Sequence, residues 1–331
     1  MKPPTGTWAT VLLPIDEHDD LRWEHVGEQL DHLIGAGVDG VYTGGSAAEF
    51  WTQSEAEVDR LSELVAARCR TAGVPFQIGC AHPSPQVALD RVRRARELAP
   101  DAVQVILPDW FTVTDREAVA FLRRLADEAA PVPLVLYNPP HAKRVLTPAG
   151  YQRLFEEIPE IIGLKVGDGD DAWYEAMRPV MERVSVFVPG HHLASGHRRG
   201  AAGAYSNVAC LHPRAAVAWW QAIRDGHPDA MSVEARLNAF FGEFIQPLQH
   251  EYCNAALDKL LAAIGGWSTI GTRLRWPYFG VPAEHAEALR SAPRRRPRTA
   301  ARLHLRLIGG RAGTRPSRGV RNASRPASWS G

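Results

Sequence analysis

The chain alternates, eight times over, between short apolar runs and longer amphipathic stretches, and nothing else in it limits the fold so sharply. The runs are TWATVLLP, VDGVYTGG, PFQIGC, AVQVILP, PLVLYN, IIGLKVG, VSVFVPG and GAYSN. Most are continuously apolar rather than alternating, the pattern of strands covered on both faces of a parallel sheet. The stretches between them, 24–36, 54–70, 85–98, 115–129, 147–157 and 170–182, carry apolar residues at helical spacing. Strand–helix–strand units cross over right-handed. Eight of them by about residue 225 predict a closed (β/α)8 barrel, an α/β TIM-barrel fold. An open doubly wound sheet fits less well, because no glycine-rich phosphate loop follows the first run.

Three more helical stretches, 213–225, 229–248 and 254–264, follow the eighth run. They predict a small C-terminal helical appendage on the barrel. The expected division is a catalytic barrel over 1–225, the appendage over 226–290 and a tail over 291–331. The tail differs in composition. Of 38 basic residues, eleven arginines lie from Ser291 onward, leaving 27 basic residues before it against all 37 acidic ones. Rich in Arg, Pro, Gly and Ser, the tail lacks the apolar content to order itself, so it is expected to be a disordered basic extension. A nucleic-acid arm is the alternative reading, but a nucleic-acid partner is not the expectation.

No apolar stretch is long enough to span a membrane, and the N-terminus has no signal-peptide layout. Cys69, Cys80, Cys210 and Cys253 are scattered without a CxxC pair. A reduced, cytoplasmic protein is expected.

In a barrel of this type, chemistry gathers at the C-terminal ends of the strands. Lys165 stands there, in the sixth run, between Leu164 and Val166. An ammonium in an apolar strand is expensive unless paired. It is either matched to a carboxylate such as Asp168 or Asp170, or desolvated so that its amine becomes a nucleophile toward carbonyls. Tyr137 ends the fifth run, where a phenol can relay protons to an imine. The turn GGSAAE after the second run offers backbone N–H groups and the Ser46 hydroxyl to a small anion. His82, His141, His191 and His192 fall on four loops at the same end. They read as rim histidines, as contacts to a hydroxylated substrate, or less readily as metal ligands, since no HxxxH spacing supports a metal.

At these residues the sequence resembles the dihydrodipicolinate synthase / N-acetylneuraminate lyase family of Schiff-base barrel enzymes, from about Thr7 to Pro282. LVLYNPP resembles its tyrosine motif, IIGLKVGDGD its lysine motif, GVDGVYTGGSAAEFWTQSEAE its anion-loop region, RRGAAGAYSNVACLHP its eighth-strand motif and RWPYFGVP its ending. The resemblance implies a class I lyase that works without metal or organic cofactor. Lys165 would condense with the keto group of pyruvate or another 2-keto acid. Tyr137 and Ser46 would shuttle protons, Ser46 and Ala47 would offer N–H groups to the keto-acid carboxylate, and the Tyr205 carbonyl would line the site. It also implies a homotetramer or homodimer.

The departures bear on substrate. Ala47 replaces the second of the family's paired threonines, and Ala48 replaces a glycine of the loop. Trp110 stands where the dihydrodipicolinate synthase relay has a second tyrosine. The arginine for the aldehyde's carboxylate falls near Ala142, with Lys143 beside it. His141 and His191 are candidate substrate contacts. The expected activity is aldol cleavage, condensation or dehydration of a 2-keto-3-deoxy sugar acid or a related hydroxylated acid. The alternatives are dihydrodipicolinate synthase proper and a non-catalytic keto-acid-binding barrel.

Overall fold

The computed structural model describes residues 3–291. Eight parallel strands close into a barrel in chain order: β1 (Gly6–Thr10), β2 (Gly40–Tyr42), β3 (Phe76–Gly79), β4 (Ala102–Ile106), β5 (Leu134–Tyr137), β6 (Ile161–Lys165), β7 (Ser185–Pro189) and β8 (Gly203–Tyr205). The barrel fold read from the alternation is therefore observed. The disordered tail expected over 291–331 lies outside the described residues except for Ser291, which ends the last helix.

The outer ring of helices comprises α1 (Trp23–Ala36), α2 (Glu55–Ala72), α3 (Pro85–Glu97), α4 (Asp115–Ala129), α5 (Pro148–Glu157) and α6 (Asp171–Arg183). It continues with the short α7 (Leu193–Arg198) and α8 (Asn207–Leu211), then α9 (Pro213–Arg224). The sequence named the α9 stretch alongside the later helices but set the barrel boundary after it, at 225. In the structure α9 packs on α1 and β1 and completes the ring. Its apolar face, with Trp219 and Trp220 buried, requires that cover.

Local sequence explains where the helices begin. Ser54 and Thr114 each accept from the backbone N–H three residues on, and Glu57 and Glu117 reach back to the cap, so α2 and α4 start with capping boxes. Asp170 caps α6 by accepting from Trp173 N–H at 2.8 Å.

After the ring come α10 (Ala230–Phe240), α11 (Asn254–Gly265) and α12 (Ala283–Ser291). The chain leaves α10 through a π-type turn, Phe241–Ile245, and a tighter turn, Gln246–Leu248. The main apolar core is continuous from the barrel's outer face, with Leu30 and Leu122, into these helices, with Leu237, Phe240 and Leu260. A second cluster, including Trp8, Tyr42, Val135, Phe187 and Tyr205, belongs to the strands. Two of its members, Tyr42 and Tyr205, also line the cavity described next.

Candidate active site

A cavity of about 1070 Å³ opens among the C-terminal strand ends. Lys165, last residue of β6, sits in register with Tyr137 of β5 and Phe187 of β7. Its Nζ lies 4.0 Å from the Tyr137 ring centre, 4.8 Å from that of Tyr42 and 5.1 Å from that of Tyr205. It donates to the Tyr42 hydroxyl at 3.5 Å. Burial drives the amine down from its ordinary 10.5 to about 8, against the opposing pull of Asp258 and Cys210. A minor neutral fraction therefore exists at neutral pH, and it grows as the pH approaches 8.

The two carboxylates that the sequence offered as partners are occupied elsewhere. Asp170 caps α6. Asp168 accepts from the Tyr174 hydroxyl at 2.6 Å and lies 3.5 Å from His192 Nδ1. Among the described residues, no carboxylate stands within ion-pair distance of Lys165 Nζ.

Ser46 donates to the Tyr137 hydroxyl at 3.1 Å, across 91 residues of chain. Burial lifts the Tyr137 phenol to about 12, so it stays protonated and able to donate. The turn that brings Ser46 there is held from both sides. Gly44 has φ +63°, and a Cβ on it would meet the Gly79 carbonyl oxygen at 2.4 Å, so glycine is required. A Cβ on Gly45 would sit 3.6 Å from Lys165 Nζ. The turn ends at Glu49, itself left-handed with φ 48°, whose carboxylate pairs with Lys259 of α11 at 2.5 Å. Both side chains of that pair are 0 % exposed. Lys259 also donates to the Arg273 carbonyl at 2.6 Å. Ala47 and Ala48 are buried within the turn, and Ala47 also lines the cavity.

Of the remaining sequence candidates, Tyr205, His141 and His191 line the cavity. The Tyr205 hydroxyl donates to Gln77 Oε1 at 2.5 Å, which fixes the ring beneath Lys165. Burial depresses His141, the Lys165 charge adds to that effect, and Asp109 opposes it. His191 stacks on Phe241 with centroids 4.4 Å apart. Burial lowers it to about 4, so it is neutral. Asn207 Oδ1 accepts from the His191 backbone N–H at 3.2 Å, and Asn207 Nδ2 donates to Nδ1 at 2.8 Å. That leaves the ring proton on Nε2.

Trp110 and Lys143 are placed differently. Trp110 is 74 % exposed, and Lys143 donates to its carbonyl at 2.8 Å while lying over its ring. They hold each other at the surface and do not line the cavity. His82 accepts from Ser84 N–H and also lies off the cavity.

Several lining residues were not anticipated. Tyr42 and Cys210 stand beside the amine, and Asn207, Phe241, Gln246, Asn254 and Asp258 wall the cavity. Tyr42, at a strand end just before the glycine turn, had a readable position. Asp258 left a fainter trace, a polar Asp–Lys pair inside the apolar stretch AALDKLLAAI. Burial raises the Asp258 carboxyl to about 7, with Lys165 pulling the other way. Among the described residues no group of three or more His, Cys, Asp or Glu is arranged to hold a metal ion. No helix among them is long and apolar enough to cross a membrane.

Known proteins share this architecture and sequence pattern. N-acetylneuraminate lyase of Rhizobium meliloti is 28 % identical over 201 residues, which cover 60 % of this chain and 66 % of the relative. N-acetylneuraminate lyase of Salmonella typhimurium is 28 % identical over 174 residues, covering 52 % of this chain and 58 % of the relative. The chain thus spans less than two-thirds of the length of either. Among solved structures, a prophage protein of the dihydrodipicolinic acid synthase family from E. coli K12, in complex with pyruvate, superposes with a TM-score of 0.76. It is 22 % identical, and the match covers 86 % of this chain and 96 % of that one. Ruminococcus gnavus sialic acid aldolase gives a TM-score of 0.76 at 19 % identity over 92 % of this chain and 98 % of the other. At these identities the two structures establish the common barrel. The profile of the dihydrodipicolinate synthetase family matches residues 3–294, and the chain belongs to that family.

Proposed function

We propose that the protein is a Schiff-base-forming lyase acting on a 2-keto acid, by aldol cleavage, condensation or dehydration. One observation carries this reading: a desolvated amine, free of any contacting carboxylate, beside a tyrosine–serine hydrogen-bond pair in one cavity. The N-acetylneuraminate lyase relatives and the pyruvate-bound neighbour support it.

In this reading the neutral Lys165 amine adds to the keto carbon. Tyr137, whose phenol is protonated, passes its proton to the oxygen, and the surplus proton on the newly bonded nitrogen returns to Tyr137 through the Ser46 hydroxyl. A further proton, taken up from solvent along the same relay, lets the hydroxyl leave as water, and the resulting iminium withdraws electrons from the adjoining carbon: the C–C bond from that carbon to the next can break, or that carbon can lose a proton and a C–O bond one carbon further on can break. No separate electron sink is needed. The turn at Ser46–Ala47 receives the carboxylate. His141, His191 and the amides of Asn207, Gln246 and Asn254 suit a hydroxylated tail, favouring a 2-keto-3-deoxy sugar acid or a related acid. No arginine, and no lysine besides Lys165, lines the cavity among the described residues. A substrate with a second carboxylate would therefore lack a cation, which counts against dihydrodipicolinate synthase proper. Four thiols without a disulfide suit a cytoplasmic setting.

Borohydride reduction in the presence of pyruvate and a panel of 2-keto sugar acids tests the reading by mass spectrometry. One reduced adduct on Lys165 is expected, and none in Lys165→Arg. The absence of any adduct across the panel would rule the lyase out. An adduct with no turnover of any panel member would leave the non-catalytic binding barrel.

A further inference from the structure

The cavity wall contributed by α11 holds a carboxylate that the proton relay does not use. Consecutive helix residues point about 100° apart, and α11 uses this at two neighbouring positions. Lys259 turns to Glu49 behind the turn, whereas Asp258 lines the cavity. Asp258 is 6 % exposed, and Asn254 Nδ2 fixes its Oδ2 at 2.7 Å. The other lining acid, Asp109, already accepts from Lys143 N–H at 2.8 Å on the rim.

We infer that Asp258 is a positioning residue that acts through Lys165, supplying the counter-charge to its ammonium and to the iminium that replaces it. This rests on the Schiff-base reading for the iminium, though not for the free amine. The surroundings leave the pair electrically isolated. Tyr42 from β2, Tyr137 from β5, Tyr205 from β8 and Cys210 from α8 are all held neutral because burial raises their pKa values. His141, from the loop after β5, is depressed and uncharged near neutral pH. Of these cavity-lining groups, Lys165 and Asp258 are therefore the two whose charge is free to change near neutral pH. Contact between them would lock the amine as ammonium. Separation within electrostatic reach balances the charge while leaving the nitrogen able to deprotonate.

The sign of the effect follows. Removing the negative charge takes away what favours the ammonium, so the Lys165 titration must move to lower pH. Competitive acetylation with acetic anhydride, read by peptide mass spectrometry, follows that titration without any keto acid. In Asp258→Asn the limb is expected to fall by about one pH unit, and Asp258→Glu should restore most of it. Asn254→Leu should move it the same way by less, since a carboxyl without that donor is ionised less. It also serves if Asp258→Asn does not fold. In parallel, the pyruvate concentration needed for half-maximal trapping should rise about tenfold in Asp258→Asn, as the iminium loses its counter-charge. An acetylation limb unchanged in both Asp258→Asn and Asn254→Leu would overturn the inference. A shifted limb with no adduct in the wild type would instead uphold the pairing and sink the lyase reading.

Discussion

Lys165 and Tyr137 owe their chemistry to what surrounds them. An amine at the end of a buried strand is destabilised as a cation, yet three aromatic faces and a distant carboxylate keep part of that charge tolerable. Tyr137 does two jobs for the same nitrogen: its ring lies 4.0 Å beneath Nζ and its hydroxyl takes the Ser46 hydrogen bond. Tyr137→Phe separates them by keeping the ring. Turnover on an accepted substrate should fall by roughly 10²–10⁴, the range for loss of a positioned acid–base group. The Lys165 adduct should still form, more slowly. Stopped trapping time courses would show this, and a Phe variant with full turnover would remove Tyr137 from the relay.

At the scale of elements, the turn between β2 and α2 is the part the site depends on most. Its position is set by Gly44 against β3 on one side and by the Glu49–Lys259 pair against α11 on the other. Taking one partner from a fully buried pair leaves an uncompensated charge, with a typical penalty of about 3–5 kcal/mol. Lys259→Met is expected to destabilise the fold by that order in urea denaturation and to slow adduct formation by displacing Ser46. Adding Glu49→Gln should recover part of the stability, because the stranded charge is then gone. A Lys259→Met protein as stable as the wild type would show that the pair does not anchor the turn. The same helix carries Asp258, so α11 supports the turn and lines the cavity at once. We accordingly propose the boundary at 225/226 as one of topology, with the helices of 226–290 contributing to the site itself.

At the scale of the whole molecule, the conspicuous exposed material among the described residues is aromatic. Trp110, Phe111, Trp276 and Phe279 are each at least 74 % exposed. Large exposed aromatics of this kind mark contact surfaces, and we propose that the protein is a homodimer or homotetramer. Light scattering after size exclusion should give a multiple of the 36.4 kDa chain mass. The double variant Trp110→Arg, Phe111→Arg should shift the equilibrium toward monomer if that patch is the contact. A wild type that elutes as monomer at micromolar concentration would exclude the assembly.

The barrel was legible in the chain because parallel strands buried on both faces must be continuously apolar, and that constraint repeats eight times along the sequence. The candidate nucleophile was legible for the opposite reason, since Lys165 breaks one of those apolar runs. Ser46 and Tyr137 could be named from strand ends, but their hydrogen bond joins residues 91 apart and exists only once the barrel closes. Sequence proximity misled at Asp168 and Asp170, which lie near Lys165 in the chain yet cap a helix and meet Tyr174. The packing of α9 on α1 and β1, from the far end of the chain, likewise exists only once the barrel closes. Asp258 left only a faint trace, as a polar break in an apolar stretch, and nothing in the chain joined it to Lys165, 93 residues away in the numbering. Periodicity reports which face of an element is buried, because burial acts on each residue separately. Which charges meet in a cavity depends on closure, where segments distant in the chain are brought into one low-dielectric space.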